Sequence, residues 1–154
     1  MGASGAMATS EWVNDGTGWY YVDASGRLAE SGWMWESGSW YYLTGGRMTE
    51  GWLLDRGTWY YMDSRTGAMR TGWVQVDDRW YYFEPSGAMA TGWLNSGDSW
   101  YYMSANGAMS TGWVDDRGAW YYMDSAGVMV TGTVSIDGRS SLFSSSGRWV
   151  GYAS

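Results

Sequence analysis

The 154 residues carry a formal net charge of −7 and no histidine, which excludes nucleic acid as a partner, because phosphate backbones are bound by basic patches. Without cysteine there is no disulfide framework and no thiolate metal site, and no apolar run nears the ~20 residues that span a bilayer as a helix. Of the 19% aromatic residues, 14 are Trp and 13 Tyr against 2 Phe, so nearly every ring has a polar atom, a type favoured where one edge is buried and the other wet.

Residues 1–11 end in Gly5-Ala6-Met7-Ala8-Thr9, a string that returns at Gly87–Thr91. The segment has neither the basic start nor the apolar middle of a secretion signal, so it reads as the tail of a preceding, truncated repeat. The chain is therefore expected to be a piece of a longer protein, with any signal and catalytic parts outside it.

From residue 12 to 132 one unit recurs six times. Its first tryptophan is Trp12, Trp33, Trp52, Trp73, Trp93 or Trp113, and a Trp-Tyr-Tyr step follows at Trp19, Trp40, Trp59, Trp80, Trp100 or Trp120. The two tryptophans are always seven residues apart, while successive copies are spaced by 19 to 21. Such a period marks a repeat architecture whose units bury their apolar faces against their neighbours. Between the tryptophans lie turn clusters such as Asn14-Asp15-Gly16, Glu36-Ser37-Gly38 and Asp116-Arg117-Gly118, so each copy is predicted to be a β-hairpin. A loop centred on Asp15-Gly16 sets Trp12 directly opposite Trp19, and the side-chain period of two puts Tyr21 on the same face and Tyr20 on the other.

After each hairpin comes an Asp/Ser-x-x-Gly turn, as at Asp23–Gly26 and Asp124–Gly127, then a methionine: Met48, Met69, Met89, Met109 or Met129, with Leu28 in the first unit. Connector length varies by one residue in either direction, a change that surface loops tolerate. Residues 133–154 form a degenerate terminal repeat or cap, with Thr133 for the first tryptophan and Ser140-Ser141-Leu142 for Trp-Tyr-Tyr. Trp149 and Tyr152 either close over the last hairpin or make a homodimer contact; the residues leave both open.

Four large rings per repeat exceed what one hairpin can hide. Packing between neighbours is the bland reading, but a pure core would draw on Leu, Ile, Val and Phe, and Ile occurs once. The middle tyrosines (Tyr20, Tyr41, Tyr60, Tyr81, Tyr101, Tyr121) are expected to pack. The tryptophan pair of one hairpin, the third-position tyrosine of the next and the intervening methionine are expected to form a box. A box without obligatory donors or acceptors suits a quaternary ammonium.

The pattern Gly-Trp-x6-Trp-Tyr-Tyr-x4–6-Gly-x-Met-x-Thr-Gly-Trp closely resembles the choline-binding repeat, or cell-wall-binding repeat, of Gram-positive bacteria and their phages. The resemblance implies an all-β fold, a left-handed solenoid of stacked β-hairpins with about 20 residues per repeat, and choline held between consecutive repeats. Carried over, it implies boxes of Trp12, Trp19, Tyr42 and Leu28; Trp33, Trp40, Tyr61 and Met48; and Trp52, Trp59, Tyr82 and Met69. Two further boxes would be Trp73, Trp80, Tyr102 and Met89, and Trp93, Trp100, Tyr122 and Met109. A sixth pair, Trp113 and Trp120 beside Met129, meets Leu142 in place of the tyrosine and is expected to be weak or absent. Trp35 has no counterpart and either enlarges or obstructs the second box. The family's common lysine after Gly-Trp is missing, since all nine basic residues are arginines.

The implied function is a non-catalytic module anchoring a protein to choline or phosphocholine of teichoic acid, outside the cell at the bacterial surface, with weak single sites acting together. The alternative is a carbohydrate-binding repeat of the α-glucan type, which shares the Tyr-Tyr hairpin. Enzymatic work is not expected, since there is neither His nor Cys and the carboxylates sit in turns. No cofactor is called for, nor a metal, because no turn shows the alternating oxygen ligands of a calcium loop.

Overall fold

The computed structural model describes residues 11–14, 16, 18–22, 27 and 31–153. Leu28, the Asp23–Gly26 turn and residues 1–10 lie outside the described residues. What is described is all β, a series of seven antiparallel hairpins. The first three are β1 (Glu11–Asn14) with β2 (Trp19–Val22), β3 (Gly32–Glu36) with β4 (Ser39–Thr44), and β6 (Gly51–Asp55) with β7 (Thr58–Met62). The short strand β5 (Arg47–Met48) lies between β2 and β4 and joins them in one sheet. Then follow β8 (Gly72–Val76) with β9 (Arg79–Phe83), β10 (Gly92–Ser96) with β11 (Ser99–Met103), and β12 (Gly112–Asp116) with β13 (Ala119–Met123). The last, β14 (Gly132–Ile136) with β15 (Arg139–Phe143), gains a third strand, β16 (Trp149–Tyr152). The residues divide into two compact units, 1–72 with 83–88 and 73–82 with 89–154.

The register differs from the expected one. Trp12 pairs with Tyr21 and Asn14 with Trp19, and likewise Trp52 pairs with Tyr61 and Leu54 with Trp59. The reason lies in the turn. In the third hairpin Asp55 pairs with Thr58, leaving Arg56 and Gly57 as the loop, at φ of 51° and 82°. Positive φ at both positions is the type I′ turn, whose twist matches the flanking strands and whose second position favours glycine. Centring the loop one residue earlier would put Gly57 into the strand. The partner shift is two residues, so every side chain keeps its expected face. The tryptophans thereby become diagonal neighbours, with Trp52 and Trp59 ring centres 6.1 Å apart.

Each hairpin has two distinct faces. One carries both tryptophans and the third-position tyrosine; the other carries the middle tyrosine and the residue after Tyr-Tyr. That last position is the core. Leu43, Met62, Phe83, Met103, Met123 and Phe143 are all almost fully buried, helped by Leu53, Val74 and Val114 of the first strands. One apolar side chain per repeat thus supplies the interior, from a position that the composition argument passed over.

Candidate functional site

Within each unit, the tryptophan face of one hairpin meets the opposite face of the next. Trp12 stands 4.9 Å from Tyr41, Trp33 4.8 Å from Tyr60, Trp73 4.9 Å from Tyr101 and Trp93 4.7 Å from Tyr121, all edge to face. The ring that closes each pair is therefore the middle tyrosine, not the expected third-position one. Tyr42, Tyr61, Tyr82, Tyr102 and Tyr122 lie instead across their own hairpins, 5.0–5.2 Å from Trp33, Trp52, Trp73, Trp93 and Trp113. The period-two rule contained the correction. A tyrosine that shares a face with its own tryptophans cannot also reach back to the preceding hairpin.

The methionine assignment shifts by one repeat for the same reason of stacking. The Met69 N–H donates to the Trp40 carbonyl, Met109 to Trp80 and Met129 to Trp100, each at 2.8 Å. The floor beside a tryptophan pair is thus the methionine of the following repeat. Its thioether lies over a glycine one repeat further on: a Cβ at Gly67, Gly107 or Gly127 would collide with the sulfur of Met48, Met89 or Met109.

Three open clefts result. Trp12, Trp19, Tyr41 and Met48 line a cavity of about 210 Å³, edged by Arg65 and Thr66. Trp33, Trp40, Tyr60 and Met69, with Ser86, line one of about 330 Å³. In the second unit Trp73, Trp80, Tyr101 and Met109 line one of about 460 Å³, with Ser125 and Ala126 at its edge. Trp93 and Trp100, 6.4 Å apart, have the same closing groups in Tyr121 and Met129. Trp52 and Trp59 belong to the first unit and Tyr82 to the second. Trp35 pairs across the strand with Trp40, 5.3 Å away and largely exposed, and does not line the second cavity.

The second tryptophans of six hairpins keep 40–43% of their surface exposed, so each cavity has an open indole wall. The first tryptophans are tied down by their N–H groups. Trp33 Nε1 donates to Asp55 at 2.9 Å, Trp93 Nε1 to Asp116 at 3.0 Å and Trp73 Nε1 to Ser96 at 3.3 Å, in each case the residue just before the next hairpin's turn. In the first interface the Tyr21 hydroxyl donates to Glu36 at 2.7 Å. Glu36, Asp55 and Asp116, read from sequence as turn residues, hold these rings and place negative charge beside the boxes, while Ser96 holds Trp73 without charge. The spacing of 22 or 23 residues from Trp33, Trp73 and Trp93 to these acceptors was the available signal.

The last interface is built differently. Ser141 stands where the middle tyrosine belongs and is buried. Trp113 consequently stays 40% exposed, unlike its five counterparts. Trp149, two residues after Gly147 and so in the methionine position, comes within 6.2 Å of Trp113 and 5.2 Å of Tyr152. Trp113, Trp120, Trp149 and Tyr152 line a cavity of about 310 Å³. Leu142, expected to blunt this site, pairs with Thr133, is exposed and does not line this cavity.

The choline-binding repeat model matches residues 70–111, and the cell wall binding repeat model matches residues 10–28, 31–45, 50–69 and 111–129. No curated protein matches the chain in sequence. Among solved structures, choline binding protein F of Streptococcus pneumoniae, crystallised in the presence of a peptidoglycan analogue, is 43% identical with a TM-score of 0.83, over 92% of this chain and 46% of its own. The cell wall endolysin from phage Cp-1, complexed with choline, is 36% identical with a TM-score of 0.59, over 79% of this chain and 37% of its own. The chain thus spans less than half the length of either.

Proposed function

Because the chain belongs to the choline-binding repeat family, we propose that its tryptophan pairs are choline sites that attach a larger protein to the cell wall. The observation that carries this reading is the composition of the cavity walls. Two indoles, a tyrosine and a thioether line each space, and at Trp33, Trp73 and Trp93 the indole N–H is already taken by a side chain of the next hairpin. What remains is dominated by ring faces and a thioether, which matches a group that has charge but nothing to donate or accept. The acceptors Glu36, Asp55 and Asp116 at the edges favour a cation.

The sites we assign are Trp12, Trp19, Tyr41 and Met48; Trp33, Trp40, Tyr60 and Met69; Trp73, Trp80, Tyr101 and Met109; and Trp93, Trp100, Tyr121 and Met129. Each cation–π contact contributes about 0.5–2 kcal/mol, so a three-ring box after association costs gives roughly millimolar affinity. Weak sites in series on a polymer that repeats its ligand gain about 10² or more through effective concentration. A polymer bearing phosphocholine, of the teichoic acid kind, is such a ligand, and it places the module outside the cell. The role is one of attachment without catalysis, since the chain has no His or Cys.

A choline titration read by tryptophan fluorescence and by thermal unfolding tests the reading. Saturation in the millimolar range with a rise in Tm is expected, and replacing Tyr60 by Ala should reduce the response more than replacing Tyr61. Equal loss from both would return the closing role to the third-position tyrosines, and an unchanged Tm at 100 mM choline would end the proposal.

A further inference from the structure

The C-terminal cavity shares a tryptophan pair with the others and little else. Its remaining walls are Trp149 and Tyr152, so it has three indoles and a phenol with no thioether. Its electrostatics are inverted as well. At the register position of Asp55, Ser96 and Asp116 stands Ile136, so the acceptor that faces Trp33, Trp73 and Trp93 is replaced by an alkyl group here. Ile136 pairs with Arg139, whose guanidinium carbon sits 3.4 Å from the centre of the Tyr152 ring. One face of a lining ring is thus already covered by a permanent cation, and among the described residues no carboxylate lies within ion-pairing distance of Arg139. A second cation entering this space meets repulsion, where the boxes of Trp33 and Trp93 have a carboxylate beside them.

We propose that the cavity of Trp113, Trp120, Trp149 and Tyr152 is a separate site for a neutral pyranose ring of an oligosaccharide. Broad indole faces suit the C–H faces of a sugar, and Tyr152, against whose ring Arg139 lies, brings a hydroxyl that can hydrogen-bond a ring hydroxyl. The site discriminates against quaternary ammonium by the same fixed charge. The module would then hold two ligand classes at once, cationic groups along the repeats and a sugar at the end. The contrast rests on the choline reading of the repeats; the sugar site does not.

The full chain labelled with 5-fluorotryptophan gives one fluorine signal per indole, assigned by single Trp→Phe variants. Titration with choline, maltotriose and triacetylchitotriose separates the ligands, and the two sugars distinguish an α-glucan source from an N-acetylglucosamine one. The signals of Trp113 and Trp149 are expected to move with one saccharide, while choline moves Trp33, Trp40, Trp93 and Trp100 at concentrations that leave Trp149 in place. Arg139→Gln should lower the choline midpoint at Trp149 by about threefold, the size of one unit charge at ~6 Å in water. If Trp149 follows choline together with Trp33, if neither saccharide moves it, or if a saccharide moves every indole alike, the proposal is overturned. Should choline move no signal while a saccharide moves Trp149, the choline reading fails and this one stands.

Discussion

The interface after Trp93 and Trp100 and the interface after Trp113 and Trp120 start from the same sequence, Gly-Trp-x6-Trp-Tyr-Tyr, and close on different groups. In the first, Tyr121, Met129 and Asp116 complete the surroundings of Trp93 and Trp100. In the second, Ser141 and Ile136 leave the corresponding places empty of rings and charge, and Trp149 and Tyr152 arrive from the four-residue strand β16. The difference shows that a repeat owns only half of its site. The chemistry of each tryptophan pair is written in the next hairpin, at the middle tyrosine position and at the residue before its turn.

The largest expected effect separates the two interfaces by stability. Trp93 touches Trp100, Tyr102 and Tyr121 and bonds Asp116, whereas Trp113 is 40% exposed. Trp93→Ala should cost about 3 kcal/mol, near the lower end for large aromatic truncations, and Trp113→Ala about half that, both read from urea unfolding midpoints. Equal losses would mean that Trp149 packs on Trp113 as effectively as a tyrosine and a charged bond together.

The methionine contact, by contrast, runs through both regions, because Met129 lies over Gly147 as Met109 lies over Gly127. Gly127→Ala and Gly147→Ala should therefore destabilise alike, by more than about 1 kcal/mol, since both glycines hold positive φ and both substitutions strike a thioether. A clear difference between them would show that the last connector is stacked in another way.

These contrasts bear on what the sequence could reveal. The hairpins were legible because turn residues and a fixed tryptophan spacing are local. The face of every ring was legible too, since parity along a strand survives a two-residue error in register. Register itself depended on Arg56 adopting positive φ so that Gly57 could take the second loop position, a preference of the turn that outweighs the unsuited arginine. The closing tyrosine is set by which face of the next hairpin meets the tryptophan pair, a contact between repeats that the pattern within one repeat does not display. The core column at Leu43, Met62 and Met103 is marked by one apolar residue after each Tyr-Tyr, a single position per repeat beside four large rings. Trp149 as a substitute wall was open to alignment on Gly147, which sets it in the methionine place.

Smaller effects concern charge. Asp116→Asn keeps an acceptor for Trp93 Nε1 while removing the negative charge, and should weaken choline at that box by about threefold without lowering the unfolding midpoint appreciably. The first cavity carries Arg65 at its edge where the second has Ser86. Arg65→Ser should tighten choline at Trp12 and Trp19 by a similar factor, followed by fluorine signals of those indoles. No change in either variant would assign recognition to the rings alone.

The smallest effect distinguishes connectors by pH. Asp63 accepts the Arg65 and Thr66 backbone N–H groups at 2.8 and 3.0 Å. Its carboxyl is held below the usual range by those bonds, Thr66 first, with Arg70 adding a smaller share. In the last connector Ser144 accepts the Arg148 N–H at 3.2 Å through a hydroxyl that does not titrate. A carboxyl whose pKa is lower folded than unfolded stabilises the fold above its unfolded value and loses that contribution as pH falls through the folded one. Acidification from pH 5 should thus speed hydrogen exchange at the Arg65 and Thr66 amides, once corrected for intrinsic rates, only below the ordinary carboxylate range. Exchange at Arg148 should keep its protection relative to them, and Asp63→Asn should flatten the first profile. If Arg148 lost protection in step with Thr66, the two connectors would be opening in one cooperative event, and the local bonds of Asp63 would not be what holds its turn.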